Sequence, residues 1–381
     1  MAAGAVKGYI DAQFRGPGKG FFRIVKTPAE ARQVINSGKL AVVLGVEVSE
    51  VLDCGRQGDT PRCDEAQIDA GLDELYALGV RSLFPVHKFD NALGGTAFDD
   101  AGTGLLVNTG NKYATDEWWD AEPCAPGAEA DNTPTNLAGH SSSPYSAGPW
   151  PRCSTETSPP IPRHRCANPK GLTPLGVYLI NQMVDRGMII ETDHLSVKAR
   201  QETLTILEGR GYSGLITSHS WGDGTSQQRL QDLGGVVAPY AETSPTYVES
   251  WQEARDHADP GQLFGVGYGS DTNGLGAQAG PRPGATNNPV TYPFDSFDGG
   301  TVLDRQQSGT RLYDINTDGV AHYGLFPDYI EDLRQIAGDQ IVDDMANGAE
   351  AYLQMWARAR KARAVPEQKG DGRIKTPVTG K

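Results

Sequence analysis

The sequence predicts an α/β fold in which helices cover both faces of a parallel sheet. Helical stretches alternate with short apolar runs along most of the 381 residues, as they do in consecutive βαβ units. The apolar runs are continuous, which is typical of strands buried on both faces. No Gly-x-Gly-x-x-Gly segment opens a helix, so a dinucleotide-binding fold has little support.

Caps and stops at the helix ends support this prediction. "TPAEARQVINSG" begins on Thr27 and ends at Gly38, and "GLTPLGVYLINQMVDRG" has Thr173 as a cap with proline in its first turn. The predicted helices are 27–38, 64–79, 171–187, 196–211, 225–235, 326–338 and 340–363. The predicted strands are 40–47, 80–87, 188–192, 213–219, 236–241 and 263–271.

We expect one domain over residues 1–363, with a charged, flexible tail at 364–381. Two tracts rich in Gly, Pro, Asn and Ser interrupt the pattern at about 88–170 and 272–312, and they are interpreted as loop insertions. In the first tract Trp118 and Trp119 either line a substrate cleft or pack the tract on the barrel.

The charge balance excludes several classes of partner. The chain has 34 Lys and Arg against 48 Asp and Glu, a formal net charge of -14, which would repel nucleic acid and anionic membranes. No apolar stretch approaches eighteen residues, so we expect no membrane span. The expected partner is a small-molecule or peptide-like substrate, with a homodimer left open.

Five cysteines suggest an oxidising compartment. Cys54 and Cys63 bracket the short loop "CGRQGDTPRC", while Cys124, Cys153 and Cys166 fall in the first tract. Metal ligation is the alternative, but no pair has C-x2-C spacing. We expect a Cys54–Cys63 disulfide and a secreted or extracytoplasmic protein, although the N-terminus has no signal-peptide core.

Polar residues stand at or just beyond the ends of several predicted strands: Glu47, His87, His194, His219 and Asp271. In a (β/α)8 barrel the carboxyl ends of all strands meet on one face, where the active site lies. Any one residue alone has a plainer explanation, such as a loop hydrogen bond or, for Asp271 before "TNG", a turn. Together they predict a TIM-type barrel with a site on that face.

The residue types indicate a metal site. Two neutral imidazoles and a carboxylate form the nitrogen and oxygen set that zinc favours. An added aspartate can take a proton from water and pass it to a leaving group.

The segments "GLTPLGVYLINQMVDRGMIIETDHLS", "LITSHS" and "YGSD" resemble the membrane dipeptidase (renal dipeptidase) family of the amidohydrolase superfamily, and "LAVVLGVE" and "LYALGVRSLFPVH" resemble its earlier strands. The likeness covers roughly residues 27–87, 170–240 and 263–355. It implies a metal-dependent hydrolase barrel with two zinc ions that cleaves dipeptides or other small amides.

The resemblance also implies residue roles. Glu47 would bridge the metals, and His194 and His219 would ligate the second. Asp271 would be the general acid/base, and His87 would polarise the scissile carbonyl. Arg229 is a candidate for the substrate carboxylate, with a solvated helix arginine as the alternative.

One difference between this sequence and the family leaves the function open. The family's first strand carries a His-x-Asp pair for the other metal, and this chain has no such strand before residue 27. Either that segment lies upstream, or this protein keeps one metal and is impaired. The alternatives are a non-catalytic or weakly active metal-binding barrel, and an amidohydrolase that acts on an ester or lactone.

Overall fold

The structure is a computed structural model that describes residues 2–99, 101–123, 131, 166–219, 222, 224–271 and 278–362. Cys124, Cys153 and the predicted tail at 364–381 lie outside the described residues, as does much of the first tract. The proposed limits of the domain therefore stay a prediction.

The helices follow the chain from the amino terminus. They are α1 (Ala2–Gln13), α2 (Pro28–Asn36), α3 (Glu65–Leu78), α4 (Ala101–Thr115), α5 (Pro174–Arg186), α6 (Val197–Arg210), α7 (Gly224–Asp232), α8 (Ser244–Asp256), α9 (Ile315–Asp318), α10 (Phe326–Ala337) and α11 (Asp339–Ala362). The predicted caps are confirmed, since the Thr27 and Thr173 side chains accept hydrogen bonds from the backbone N–H groups of Glu30 and Gly176.

The strands are short. They are β1 (Phe22–Ile24), β2 (Leu40–Val42), β3 (Leu44–Val46), β4 (Arg56–Gln57), β5 (Thr60–Pro61), β6 (Val80–Leu83), β7 (Glu122–Pro123), β8 (Cys166–Ala167), β9 (Ile189–Glu191), β10 (Leu215–Thr217), β11 (Val236–Val237), β12 (Phe294–Asp295), β13 (Val302–Leu303), β14 (Gln307–Ser308) and β15 (Arg311–Leu312).

A parallel sheet in the order β3-β6-β9-β10-β11 forms the centre of the protein. At one end β2 precedes β3 with only Val43 between them, and β2 pairs in parallel with β1. At the other end the segment 265–269 runs beside β11, with a parallel bridge between Tyr240 and Gly269. The predicted α/β class is confirmed. Pairing that would close the two ends into a ring is not found among the described strands.

Both faces of the sheet are covered by apolar side chains. Leu83 and Ile190 belong to a cluster shared with α3, α5 and α6, whereas Ile189 and Ile216 belong to a second cluster with Trp356 of α11. This arrangement explains the continuous apolar runs in the sequence, because adjacent strand residues are buried on opposite faces.

The tracts predicted as irregular contain regular structure. The first holds helix α4, on which the Asn108 side chain accepts a hydrogen bond from the Trp119 backbone N–H. Trp119 is 3% exposed and its ring centroid lies 5.0 Å from that of Phe98, so its side chain packs in the interior against Phe98. The second holds the hairpins β12–β13 and β14–β15. Helices α1 and α8 and strand β1 were also not predicted; β1 precedes residue 27 but carries no histidine.

The hairpin β4–β5 is closed by a disulfide between Cys54 and Cys63, as predicted. Both cysteines are buried in the main core. None of the described helices combines the length and the apolar composition that a membrane span requires.

Candidate metal centre

Four of the predicted site residues follow four neighbouring strands of the sheet. Glu47 comes directly after β3, His87 follows β6, His194 follows β9 and His219 follows β10. Parallel strands end at the same edge of a sheet, so these side chains converge although 172 positions of sequence separate the first from the last (219 − 47).

Glu47, His194 and His219 form a group whose ligand atoms all lie within 4.8 Å of one another. His194 Nε2 and His219 Nε2 are 2.7 Å apart, and Glu47 Oε1 lies 3.3 Å and 3.9 Å from them. Two imidazole nitrogens and one carboxylate oxygen that face a common point fit a divalent zinc ion.

Burial keeps His194 and His87 neutral, and a histidine must be neutral to bind a metal ion. His194 is 1% exposed, and its pKa lies well below the ordinary value because of burial and then the nearby Lys88. His87 Nε2 lies 3.3 Å from Glu47 Oε1, and burial lowers the pKa of His87 to about 4 against the opposing effect of Glu47. The apolar ring of Phe84 lies beside all three imidazoles. Its centroid is 6.0 to 6.5 Å from the ring centroids of His87, His194 and His219.

Asp193 holds His219 in place, a role that sequence reasoning missed. Its Oδ2 accepts a hydrogen bond from the His219 backbone N–H at 2.7 Å and lies 3.3 Å from His219 Nδ1. Its Oδ1 accepts a hydrogen bond from the Thr217 hydroxyl. The sequence offered only a partial signal, an aspartate that follows an apolar run and directly precedes a proposed ligand histidine. The structure adds that Asp193 is fully buried, so its carboxylate needs partners.

The backbone at His194 is in the left-handed region, with a φ of 62°. Its carbonyl accepts a hydrogen bond from the Ala97 N–H at 2.7 Å. The neighbouring Thr96 hydroxyl donates to the carbonyl of His87. The start of the first tract therefore links the two histidine loops.

Asp271 lies at the same edge of the sheet but is exposed, two residues beyond the bridge at Gly269. It is close enough to Tyr240 to raise that residue's pKa, to which burial contributes more. The Tyr240 ring is 6.3 Å from the His219 ring. Tyr240 is thus close to both Asp271 and His219, and no feature of the sequence singled it out.

The structure does not bring Arg229 to this group. It lies on α7, and its guanidinium binds Glu208 of α6 at 2.7 Å and 2.9 Å. It also donates hydrogen bonds to Gln201 and Thr205 of the same helix. These contacts match the alternative of a helix-surface arginine, and a role toward the substrate stays a prediction.

No protein-family model and no curated protein matches the chain. Among solved structures, dipeptidase AC, a metallo peptidase of family M19, is 15% identical over 94% of this chain and 73% of its own, with a TM-score of 0.50. The protein has the metallo-dipeptidase fold. The resemblance predicted from sequence is thereby confirmed for the fold.

Two further structures align less closely with this metallo-dipeptidase fold. A metallo peptidase from Rhodobacter sphaeroides, liganded with a phosphinate mimic of the dipeptide L-Ala-D-Ala, is 15% identical over 90% of this chain and 70% of its own, with a TM-score of 0.48. An amidohydrolase from Pseudomonas aeruginosa is 14% identical over 90% and 79%, with a TM-score of 0.47.

Proposed function

We propose that the protein is a zinc-dependent hydrolase that cleaves a dipeptide or another small amide. The observation that carries this proposal is the group Glu47, His194 and His219 at the carboxyl edge of a metallo-dipeptidase fold. A zinc ion held by these three residues would supply Lewis-acid activation of a water molecule.

Two further residues have positions that suit the reaction. His87 is a neutral imidazole beside Glu47, so it can donate a hydrogen bond to the carbonyl oxygen of the amide and to the negative charge that develops there. Asp271 is an exposed carboxylate at the same edge, so it can take a proton from the attacking water and return it to the leaving amine. Arg229 is left out of the proposed site because Glu208 binds its guanidinium.

The converging group provides ligands for one metal ion. Among the described residues, Glu47, His194 and His219 are the one group of three metal-ligating side chains that converge. This observation keeps a weakly active or non-catalytic metal-binding barrel as the second candidate. The Cys54–Cys63 disulfide supports an extracytoplasmic location.

Zinc binding and hydrolysis can be tested on the same preparation. Purified protein is loaded with zinc, dialysed, analysed for metal and assayed on dipeptides, simple amides, esters and lactones. We expect bound zinc and amide hydrolysis, and both should be lost in His194→Ala plus His219→Ala. The matched control is His257→Ala, because His257 lies at the end of α8 outside the metal group.

Each outcome bears on one part of the proposal. Equal zinc content in the double variant and the unchanged protein would refute the metal site. Specific zinc binding without hydrolysis of any substrate would refute the enzyme and favour the binding protein. Cleavage of esters or lactones with no cleavage of amides would refute the proposed substrate class.

A further inference from the structure

A buried aspartate in the loop after β6 is surrounded by hydrogen-bond donors. Asp90 is 1% exposed. Its Oδ1 accepts the Thr96 backbone N–H at 3.0 Å and the Asn168 side-chain amide at 2.8 Å. Its Oδ2 accepts the Lys170 ammonium at 3.0 Å and lies 3.7 Å from the Arg56 guanidinium. These four neighbours are all donors, so a carboxylate, which accepts with both oxygens, satisfies them together.

The peptide groups of Thr96 are held on both sides by this arrangement. Asp90 accepts the Thr96 N–H directly. The Thr96 carbonyl accepts a hydrogen bond from the Asn168 side-chain amide at 2.9 Å, and Asp90 binds that same amide. Thr96 is itself completely buried. The position of its backbone therefore depends on Asp90 through two routes.

Thr96 in turn contacts the loops that carry His87 and His194. Its hydroxyl donates a hydrogen bond to the His87 carbonyl and lies 3.3 Å from the His194 carbonyl. Its backbone forms an antiparallel bridge with Leu195, and the next residue, Ala97, donates its N–H to the His194 carbonyl at 2.7 Å. A shift of Thr96 would therefore move the backbone of both histidines.

We infer that Asp90 is a positioning residue, which acts through Thr96 to fix the imidazoles of His87 and His194 relative to Glu47. This inference rests on the proposed function, because it concerns how the residues of that site are held in place. Both imidazoles have Nε2 at 3.3 Å from Glu47 Oε1. Functional groups of this kind tolerate displacements of only about 0.5 Å, so a small movement of either loop would disturb the site.

The variant Asp90→Asn tests the inference at nearly constant shape. An amide has a single acceptor oxygen and an NH2 donor, so it cannot accept from both the Lys170 ammonium and the Thr96 N–H. Thr96 should loosen, and zinc binding should weaken about tenfold, at the lower end of the effect typical of residues that orient metal ligands. Adding Lys170→Met removes the competing cation and should restore the affinity.

The hydroxyl of Thr96 is tested by a second pair of variants. Thr96→Val removes the hydrogen bond to the His87 carbonyl and should weaken zinc binding as Asp90→Asn does. Thr96→Ser keeps the hydroxyl and should keep the affinity. The matched control is Asp344→Asn: Asp344 is 3% exposed and binds Trp251 and Arg255, so its loss should lower stability without changing zinc affinity.

Two measurements are made on the full chain labelled with ¹⁵N-histidine. Chelator competition gives the zinc affinity, and urea unfolding gives the stability. In the metal-free protein, the ring ¹⁵N signals of His87 and His194 are assigned with His87→Ala and His194→Ala. These signals should shift in Asp90→Asn and Thr96→Val and stay in place in Thr96→Ser and Asp344→Asn.

Unchanged ring signals and unchanged zinc affinity in Asp90→Asn and Thr96→Val would overturn the inference. Equal effects of Thr96→Val and Thr96→Ser, or an equal loss of affinity in Asp344→Asn, would also overturn it. If Asp90→Asn does not fold, the two Thr96 variants decide the question. Failure of the proposed function would look different, because the unchanged protein would cleave no substrate while the ring signals still shifted as expected.

Discussion

Replacing Glu191 by glutamine should make the free energy of unfolding less dependent on pH. Burial raises the pKa of this carboxyl group from 4.5 to about 8 in the folded protein. The folded state therefore holds the proton more tightly than the unfolded state. The resulting stabilisation is fully present below the unfolded pKa and is lost as the pH rises through the folded pKa.

The size of the effect depends on how much of the measured pH range lies between the unfolded and the folded pKa values. Each pH unit between the two pKa values changes the free energy of unfolding by about 1.4 kcal/mol. Between pH 6 and pH 9 the free energy of unfolding of the unchanged protein should thus fall by about 2–3 kcal/mol more than that of Glu191→Gln, because the amide does not ionise.

The measurement is urea unfolding of the metal-free protein, followed by tryptophan fluorescence, at each pH from 6 to 9. Glu208→Gln is the matched control: Glu208 is exposed and Arg229 lowers its pKa, so it is ionised throughout this range. Parallel stability curves for Glu191→Gln and the unchanged protein would refute the reasoning, since they would mean that Glu191 is already ionised at pH 6.

Three other changes test the site and the fold. Asp271→Asn should lower amide hydrolysis about 10²–10⁴-fold at unchanged zinc content, because the base is removed while the shape is kept; full activity would exclude a proton-transfer role. Asp193→Asn should weaken zinc binding about 10–100-fold in chelator competition, because the carboxylate beside His219 Nδ1 is neutralised; unchanged binding would exclude an orienting role. Cys54→Ser plus Cys63→Ser should lower the free energy of unfolding, measured by urea titration, by about 2–3 kcal/mol, because the unfolded loop gains conformational entropy. Equal stability would show that the disulfide contributes nothing.

The sequence predicted the parts of the fold in which local pattern and tertiary environment agree. Strands such as Ile189–Glu191 and Leu215–Thr217 are buried on both faces, so their apolar runs were visible without a structure. Strand β1 was missed because its three residues are half-buried and include Arg23. Helix α4 was missed because its sequence, "AGTGLLVNTGNKYAT", contains three glycines and several residues with low helix propensity.

The metal group was predictable because strand ends and residue types are both written in the sequence. The contact of Asp193 with His219 and the position of Tyr240 near His219 were not predictable, since each depends on a neighbour from another segment of the chain. Arg229 illustrates the same limit, because its neighbours in the fold could not be predicted from the sequence. Its spacing from His219 suggested that it binds the substrate carboxylate. In the structure its guanidinium binds Glu208 instead, because α6 packs against α7.

The short link made by Thr96 and Ala97 has a consequence for anyone who redesigns this protein. A left-handed backbone at a residue other than glycine costs roughly 1–2 kcal/mol, and at His194 the hydrogen bond from Ala97 helps to offset that cost. Shortening the first tract to a tight turn directly after His87 would delete this support. The strands of the central sheet would be intact, yet His194 would be free to relax and carry its imidazole away from Glu47. The shortened protein should fold and still fail to bind metal with the original affinity.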